Sequence, residues 1–244
     1  MTRPVVLLHG WGLSSSVWAP LRAALDPNLD VRTIDLPGHG NAVSAGDSLE
    51  SWSDAVLAQL PRNSLLVGWS LGAQLALHLA HQHPDRVARL VLISATPRFV
   101  QADNWQAAMP ADTLADFRRS FDTEPAGTQR RFIALQGLGD ARRRDVVAAL
   151  GSAATPPDDA HKTALAEGLG LLASIDLRNV VLVGHSMSGP IVVAAAVVEL
   201  MLAVSTLEMV DEFQAERTPR SPKPQVATPA DFGIQTGIAS NAGE

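Results

Sequence analysis

The stretch Leu65–Leu77, LLVGWSLGAQLAL, leaves a chain few ways to fold. Ser64–Val67 is a short apolar run that reads as a buried strand, and Leu71, Leu75 and Leu79 then recur at helical spacing over 71–82. Between them stands Gly68-Trp69-Ser70-Leu71-Gly72, so the backbone must turn from strand to helix within a few residues. Small residues at 68 and 72 let the two elements approach closely enough for so sharp a bend. The bend presents a serine hydroxyl at the carboxyl edge of a sheet, next to the unpaired N–H groups and positive dipole end of a helix.

The same alternation runs through the first hundred residues. Pro4–Leu8, Val31–Leu36 and Val87–Ile93 read as further strands, and Ser16–Leu25 and Asp47–Leu60 as helices, the second stopped by Pro61. Short apolar strands separated by helices imply parallel crossovers and a sheet covered on both faces, an α/β fold. From Asn104 to about Leu172 the pattern is amphipathic and helical, with no clear strand, as in a helical cap inserted into such a sheet. The expected organisation is therefore a first part of the core over 1–103, a cap over 104–172, a second and atypical part of the core over 173–216, and a disordered tail over 217–244. That tail holds four prolines and little to bury.

Composition excludes several functions. The 244 residues contain no cysteine, so neither a disulfide framework nor a thiolate metal site is possible, which suits a reducing cytoplasm. No histidine and carboxylate group has metal-ligand spacing, and neither a metal nor an organic cofactor is implied. The net charge of −6 argues against a nucleic-acid partner. The first apparent strand follows Met1 closely, leaving no room for a signal peptide. Val180–Val204 is almost wholly apolar, but His185, Glu199 and the small residues at 184–190 read better as strand, turn and helix than as a membrane span. A cytoplasmic monomer away from membranes is expected.

Upstream, Leu7-Leu8-His9-Gly10-Trp11-Gly12 follows the first strand and can bring a second backbone donor, the Trp11 N–H, over Ser70. His9 is expected to fix that loop by hydrogen bonding rather than to take part in chemistry. Together HGWG, DLPGHG at Asp35–Gly40, GWSLGA at Gly68–Ala73, HPDRVARLVLISATPRF at His83–Phe99 and RRFIALQ at Arg130–Gln136 resemble the α/β-hydrolase family. Within it they resemble the carboxylesterases that cleave the methyl ester of pimeloyl-acyl-carrier protein in biotin synthesis. The likeness covers roughly residues 3 to 178. It implies Ser70 as nucleophile of an acyl-enzyme mechanism and the Trp11 and Leu71 amides as oxyanion donors. It also implies an acyl pocket lined by Phe132, Ile133, Ala134, Leu135 and Gln136.

The cap adds an argument from charge. Arg118, Arg119, Arg130, Arg131, Arg142, Arg143 and Arg144 face only Asp122, Glu124 and Asp140 in the same stretch, a local charge of +4 in an acidic chain. Such a patch, with Arg130, Arg131 and Arg142–Arg144 at its centre, suits an acidic partner such as an acyl-carrier protein bearing the ester; a solvated helix face is the plain alternative.

A serine needs a histidine to take its proton and a carboxylate to orient that histidine, and in this family both follow the serine in the chain. Here the strand expected at Asn179–Val183 runs instead into Gly184-His185-Ser186-Met187-Ser188-Gly189, a second and looser elbow with no carboxylate. His185 is the last histidine of the chain, and the best placed of the existing ones to serve as base. Two strand spacings would still separate it from Ser70 by about 10 Å, roughly twice the reach of an imidazole. The acid and base of the triad are thus unidentified. The alternatives to an esterase are a catalytically deficient binding protein on the same fold, or a chimeric or truncated chain whose last third comes from elsewhere.

Overall fold

The computed structural model describes residues 3–180. Four strands, β1 (Val5–Leu8), β2 (Val31–Ile34), β3 (Ser64–Trp69) and β4 (Val87–Ile93), form one parallel sheet in the order β2-β1-β3-β4. The register aligns Val5 with both Val31 and Leu65, and Trp69 with Ile93. Val6, Leu8, Leu66 and Leu90 point into one core with helix residues, while Leu7 and Val67 pack on the opposite face with Trp18. Apolar residues on both faces explain why these strands read as continuous runs rather than alternating ones.

The chain leaves β1 to build β2 on one side, then returns to build β3 on the other. Strands β1 and β3 stay paired up to Leu8 and Gly68, and the connections that follow them run in opposite directions, which makes their carboxyl ends a topological switch point. The crossovers are a 3-10 turn at Ser15–Trp18 followed by α1 (Ala19–Ala24), then α2 (Leu49–Leu57) and α3 (Leu71–Gln82). The first departs from the single helix expected at 16–25. Pro20 sits in the first turn of α1, where its missing N–H costs nothing, so regular helix can start only there. Leu21 is accordingly left on the surface. Helix α2 is shorter than the expected 47–60 because Ser48, not Asp47, caps it, its Oγ accepting from the Ser51 N–H at 3.0 Å. Strand β2 ends at Ile34 rather than Leu36, and β3 runs on past Val67 to Trp69.

After β4 come four helices, α4 (Ala111–Thr123), α5 (Pro125–Gln136), α6 (Arg143–Ser152) and α7 (Lys162–Ser174), with only isolated bridges among them. Leu114, Phe121, Leu165, Leu169 and Leu171 join the core of the sheet, so this helical segment is fused to it. Arg178 and Asn179 form a turn where the sequence led us to expect a strand to begin. The rest of that expected strand, the second elbow with His185, the second part of the core beyond Val180 and the tail at 217–244 lie outside the described residues. Among the described residues no helix is long and apolar enough to cross a membrane.

Candidate active site

Ser70 occupies the bend between β3 and α3 with φ 54° and ψ −118°, a conformation that costs a non-glycine residue of order 1–3 kcal/mol. Neighbours hold it there. Its N–H donates to the Ile93 carbonyl at 2.9 Å, and its carbonyl accepts from Ala73 and Gln74 at 2.9 and 3.1 Å. A methyl added at Gly68 would lie 2.4 Å from the Gly72 carbonyl oxygen, and one at Gly72 would lie 2.4 Å from that of His9. Both positions must therefore be glycine for strand, helix and the β1 loop to meet around the serine. The Ser70 side chain is partly accessible, at the start of a 12-residue helix whose first-turn amides surround it.

The loop after β1 lies directly against this serine. A methyl on Gly10 would sit 3.3 Å from Ser70 Cβ and 3.9 Å from its Oγ. Among the described residues, neither the Trp11 nor the Leu71 amide N–H is spent on a hydrogen bond. His9 fixes the orientation of the first of them. Its Nε2 accepts the Leu36 N–H at 3.0 Å, so the proton must be on Nδ1, which donates to the Gly10 carbonyl at 2.8 Å. That carbonyl and the Trp11 N–H belong to one peptide unit and point in opposite directions. Full burial pushes the His9 pKa down to about 4, with the Gly10 bond and Asp35 opposing, so the ring is neutral and held in this tautomer. Asp35 itself is raised by burial, but the Ser15 and Asn41 amides, the Ser15 hydroxyl and His9 outweigh this and hold it below the usual carboxylate range.

The helical segment closes over Trp11. Its indole N–H donates to the Leu165 carbonyl at 2.7 Å, and the rings of Phe117, Phe121 and Phe132 meet it edge-on at 5.6, 5.5 and 5.2 Å. The expected pocket-lining run 132–136 is divided by its helix. Phe132 faces Trp11 and the main core, whereas Ile133 is buried in a separate cluster with Leu13 and Leu150. Consecutive residues of a helix diverge by about 100°, so five in a row cannot line one cavity. Gln136 lies one turn beyond Phe132 on the same helix face. Ala134 and Leu135 are half-buried.

Two polar residues that the sequence gave no reason to single out complete the surroundings. Gln129, buried on α5, donates from Nε2 to the Gly12 carbonyl at 2.9 Å and to the Thr155 carbonyl at 2.7 Å. Thr155 donates its hydroxyl to Leu13 O at 2.7 Å and accepts the Gly40 N–H at 3.0 Å. The available signal was weak: a glutamine three residues before Phe132 interrupts what would otherwise be the buried side of the helix.

Among the described residues no histidine hydrogen bonds to Ser70. His39 is buried with its Nδ1–H on the Pro37 carbonyl, and burial followed by repulsion from His9 lowers its pKa to about 3. His161 contacts Asp158 at 2.7 Å and the Gly40 carbonyl at 3.2 Å. His78 and His81 lie in the second half of α3, with His83 at its end. His185 lies outside the described residues. No group of three or more potential metal ligands comes together among the described residues. The arginines are exposed. Arg130 and Arg131 lie 3.9 and 3.2 Å from Glu124, and Arg119 pairs with Asp116, while Arg118, Arg142, Arg143 and Arg144 have no ion-pair partner among the described residues.

This arrangement is that of a family of known proteins. The sequence profile of the alpha/beta hydrolase fold matches residues 3–150. A pimeloyl-[acyl-carrier protein] methyl ester esterase from Aromatoleum aromaticum is 49% identical, over 73% of this chain and 74% of its own length. One from Methylococcus capsulatus is 40% identical over 72% and 69%. Among solved structures, an enol-lactonase from Burkholderia xenovorans superposes with a TM-score of 0.61 at 22% identity, covering 74% of this chain and 68% of that one. An esterase from Exiguobacterium antarcticum gives 0.60 at 22%, covering 73% and 68%.

Proposed function

The chain belongs to the α/β-hydrolase fold family, and from that premise we propose that it is a serine carboxylesterase acting on pimeloyl-acyl-carrier-protein methyl ester in biotin synthesis. The observation that carries the chemistry is the left-handed Ser70 at the switch point, with the loop after β1 packed against it. Ser70 Oγ attacks the ester carbonyl. Negative charge develops on the carbonyl oxygen, and the unspent N–H groups of Trp11 and Leu71 are the donors that would receive it. Donors fixed before the reaction begins need no reorganisation, and each such donor contributes on the order of 10²–10³ in rate. The base takes the Ser70 hydroxyl proton and passes it to the leaving oxygen. Collapse of the adduct then expels methanol and leaves an acyl-enzyme, which water cleaves to the acid and free serine. Phe132 and Gln136, on one face of α5, are the members of the expected lining set best placed to meet the acyl chain.

The substrate assignment rests on the esterase relatives, which also disfavour the reading as a binding protein that has lost its chemistry. The arginines of α5 and α6 fit the acidic surface of a carrier protein, with α4–α7 acting as the cap. We read the chain as a cytoplasmic monomer. The base and acid of the triad are not among the hydrogen-bonded neighbours of Ser70 in the described residues, and His185 remains the candidate base.

Labelling with a fluorophosphonate tests the nucleophile. Label should be lost in Ser70→Ala and retained in Ser186→Ala; the reverse would overturn the assignment. With His185 as base, the rate of an activated ester should rise between about pH 6 and 7, and His185→Ala should flatten that rise.

A further inference from the structure

We infer that Gln129 is a positioning residue for the oxyanion loop, a latch by which the helical segment holds the Trp11 amide in place over Ser70. The inference rests on the esterase reading above and deepens it. The loop from Gly10 to Ser14 has no regular structure of its own, yet it supplies one of the two donors. Its near end is set by His9 through the Gly10 carbonyl. Its far end is set from the helical segment. Gly12 has φ +75°, and its carbonyl accepts from both Gln129 Nε2 at 2.9 Å and the Thr155 N–H at 2.9 Å. The second Gln129 N–H goes to the Thr155 carbonyl at 2.7 Å, tying the two supports together.

Among the described residues the Thr155 carbonyl has no other donor, and the Gly12 carbonyl has only the Thr155 N–H besides. Losing Gln129 therefore leaves one buried carbonyl unpaired and the other held by a single bond. The approach is close. A methyl on Gly12 would lie 3.3 Å from Gln129 Nε2, so the glycine there admits the amide as well as the left-handed turn. Gln129 is also one turn from Phe132, whose ring meets Trp11 at 5.2 Å. One helix therefore grips Trp11 by its side chain and the next residue by its backbone. With both ends of the loop fixed, the Gly10–Trp11 peptide cannot rotate, and its N–H keeps the direction an oxyanion needs. Misplacing such a group by about 1 Å can cost on the order of 10²-fold in rate without changing ground-state contacts.

The test compares the parent with Gln129→Met, which keeps the length and removes both donors, using p-nitrophenyl butyrate and a trifluoromethyl ketone inhibitor. The expected result is a fall in kcat of about tenfold or more with KM within about twofold, and a matching loss of affinity for the ketone, whose tetrahedral adduct carries the oxyanion. Gln129→Glu supplies a second readout. The introduced carboxyl faces two carbonyl oxygens and can donate only when protonated, so its activity relative to the parent should fall as pH rises. Equal kcat in the parent and Gln129→Met, or a rise in KM alone, would overturn the latch while leaving the esterase intact. A parent that neither labels at Ser70 nor hydrolyses the ester would sink the esterase reading itself. Loss of the fold in both variants would overturn the positioning role, since Gln129 would then serve the whole core and not the loop.

Discussion

His9 is kept neutral by its burial and held in one tautomer by geometry, with a donor on one side and an acceptor on the other. Its pKa near 4, and that of His39 near 3, have a consequence for stability. An unfolded chain protonates both near pH 6.5, whereas the folded one does so only near 4 and 3. Between those limits the unfolded state binds more protons, so stability falls as pH falls from about 6.5. His9 alone accounts for up to roughly 3 kcal/mol of this, a melting shift on the order of 10 °C. The carboxyl of Asp35, held low, loses its share as pH falls from its ordinary value of 3.8 through its lowered one, overlapping only the acid end of this window. His9→Gln can donate to Gly10 and accept from Leu36 without titrating, so its melting temperature should drop less between about pH 7 and pH 4.5 than the parent's. Equal drops would mean that His9 contributes nothing to the pH dependence. At this scale the sequence was legible wherever the signal was local. Ser70, Trp11, Leu71 and the loop-fixing role of His9 could be placed from a pentapeptide and a loop. Gln129 and Thr155 could not, because their bonds reach residues 117, 115 and 142 positions away.

Among the elements, the strand–turn–helix at β3 and α3 tolerates least. Gly68→Ala and Gly72→Ala each drive a methyl to 2.4 Å from a backbone oxygen that belongs to a neighbouring element and cannot yield. Either should cost more than about 4 kcal/mol and show as loss of soluble protein or of a cooperative melt. Gly10→Ala makes only a 3.3 Å contact with Ser70 Cβ, so it should fold, melt within a few degrees of the parent, and react more slowly with the fluorophosphonate. A cooperative melt near the parent's in Gly72→Ala would show that the elbow is looser than its geometry. The periodicity that located α3 and β4 to the residue failed for the element expected at 16–25. Spacing reports a helical face but not where Pro20 allows regular helix to begin. It failed also for the run 132–136, where a motif read as a unit is split by the helix between two separate clusters.

For the molecule as a whole, charge separates two roles of the helical segment. Glu124 and Asp116 already occupy some of the arginines of this patch, leaving Arg118 and Arg142–Arg144 as its members without ion pairs among the described residues. Reversing Arg142, Arg143 and Arg144 to glutamate should weaken turnover of a carrier-protein ester by about tenfold at low salt, with a smaller effect at high salt and almost none on p-nitrophenyl butyrate. Equal loss on both substrates would make the patch structural. The α/β architecture was readable across the first hundred residues because β1 and β3 bury both faces and announce themselves as apolar runs. How the helical segment engages the loop after β1 was not, since that depends on which side chains of distant helices meet. The grip of Gln129 and Phe132 on that loop bears on any attempt to re-engineer the protein. One way to seek a new substrate preference would be to graft the helices of 111–174 from another enzyme as an interchangeable module. If Gln129 positions the Trp11 amide as inferred, a graft that omits the glutamine and the phenylalanine would loosen that amide, and a chimera that binds its new ester well would still turn it over slowly.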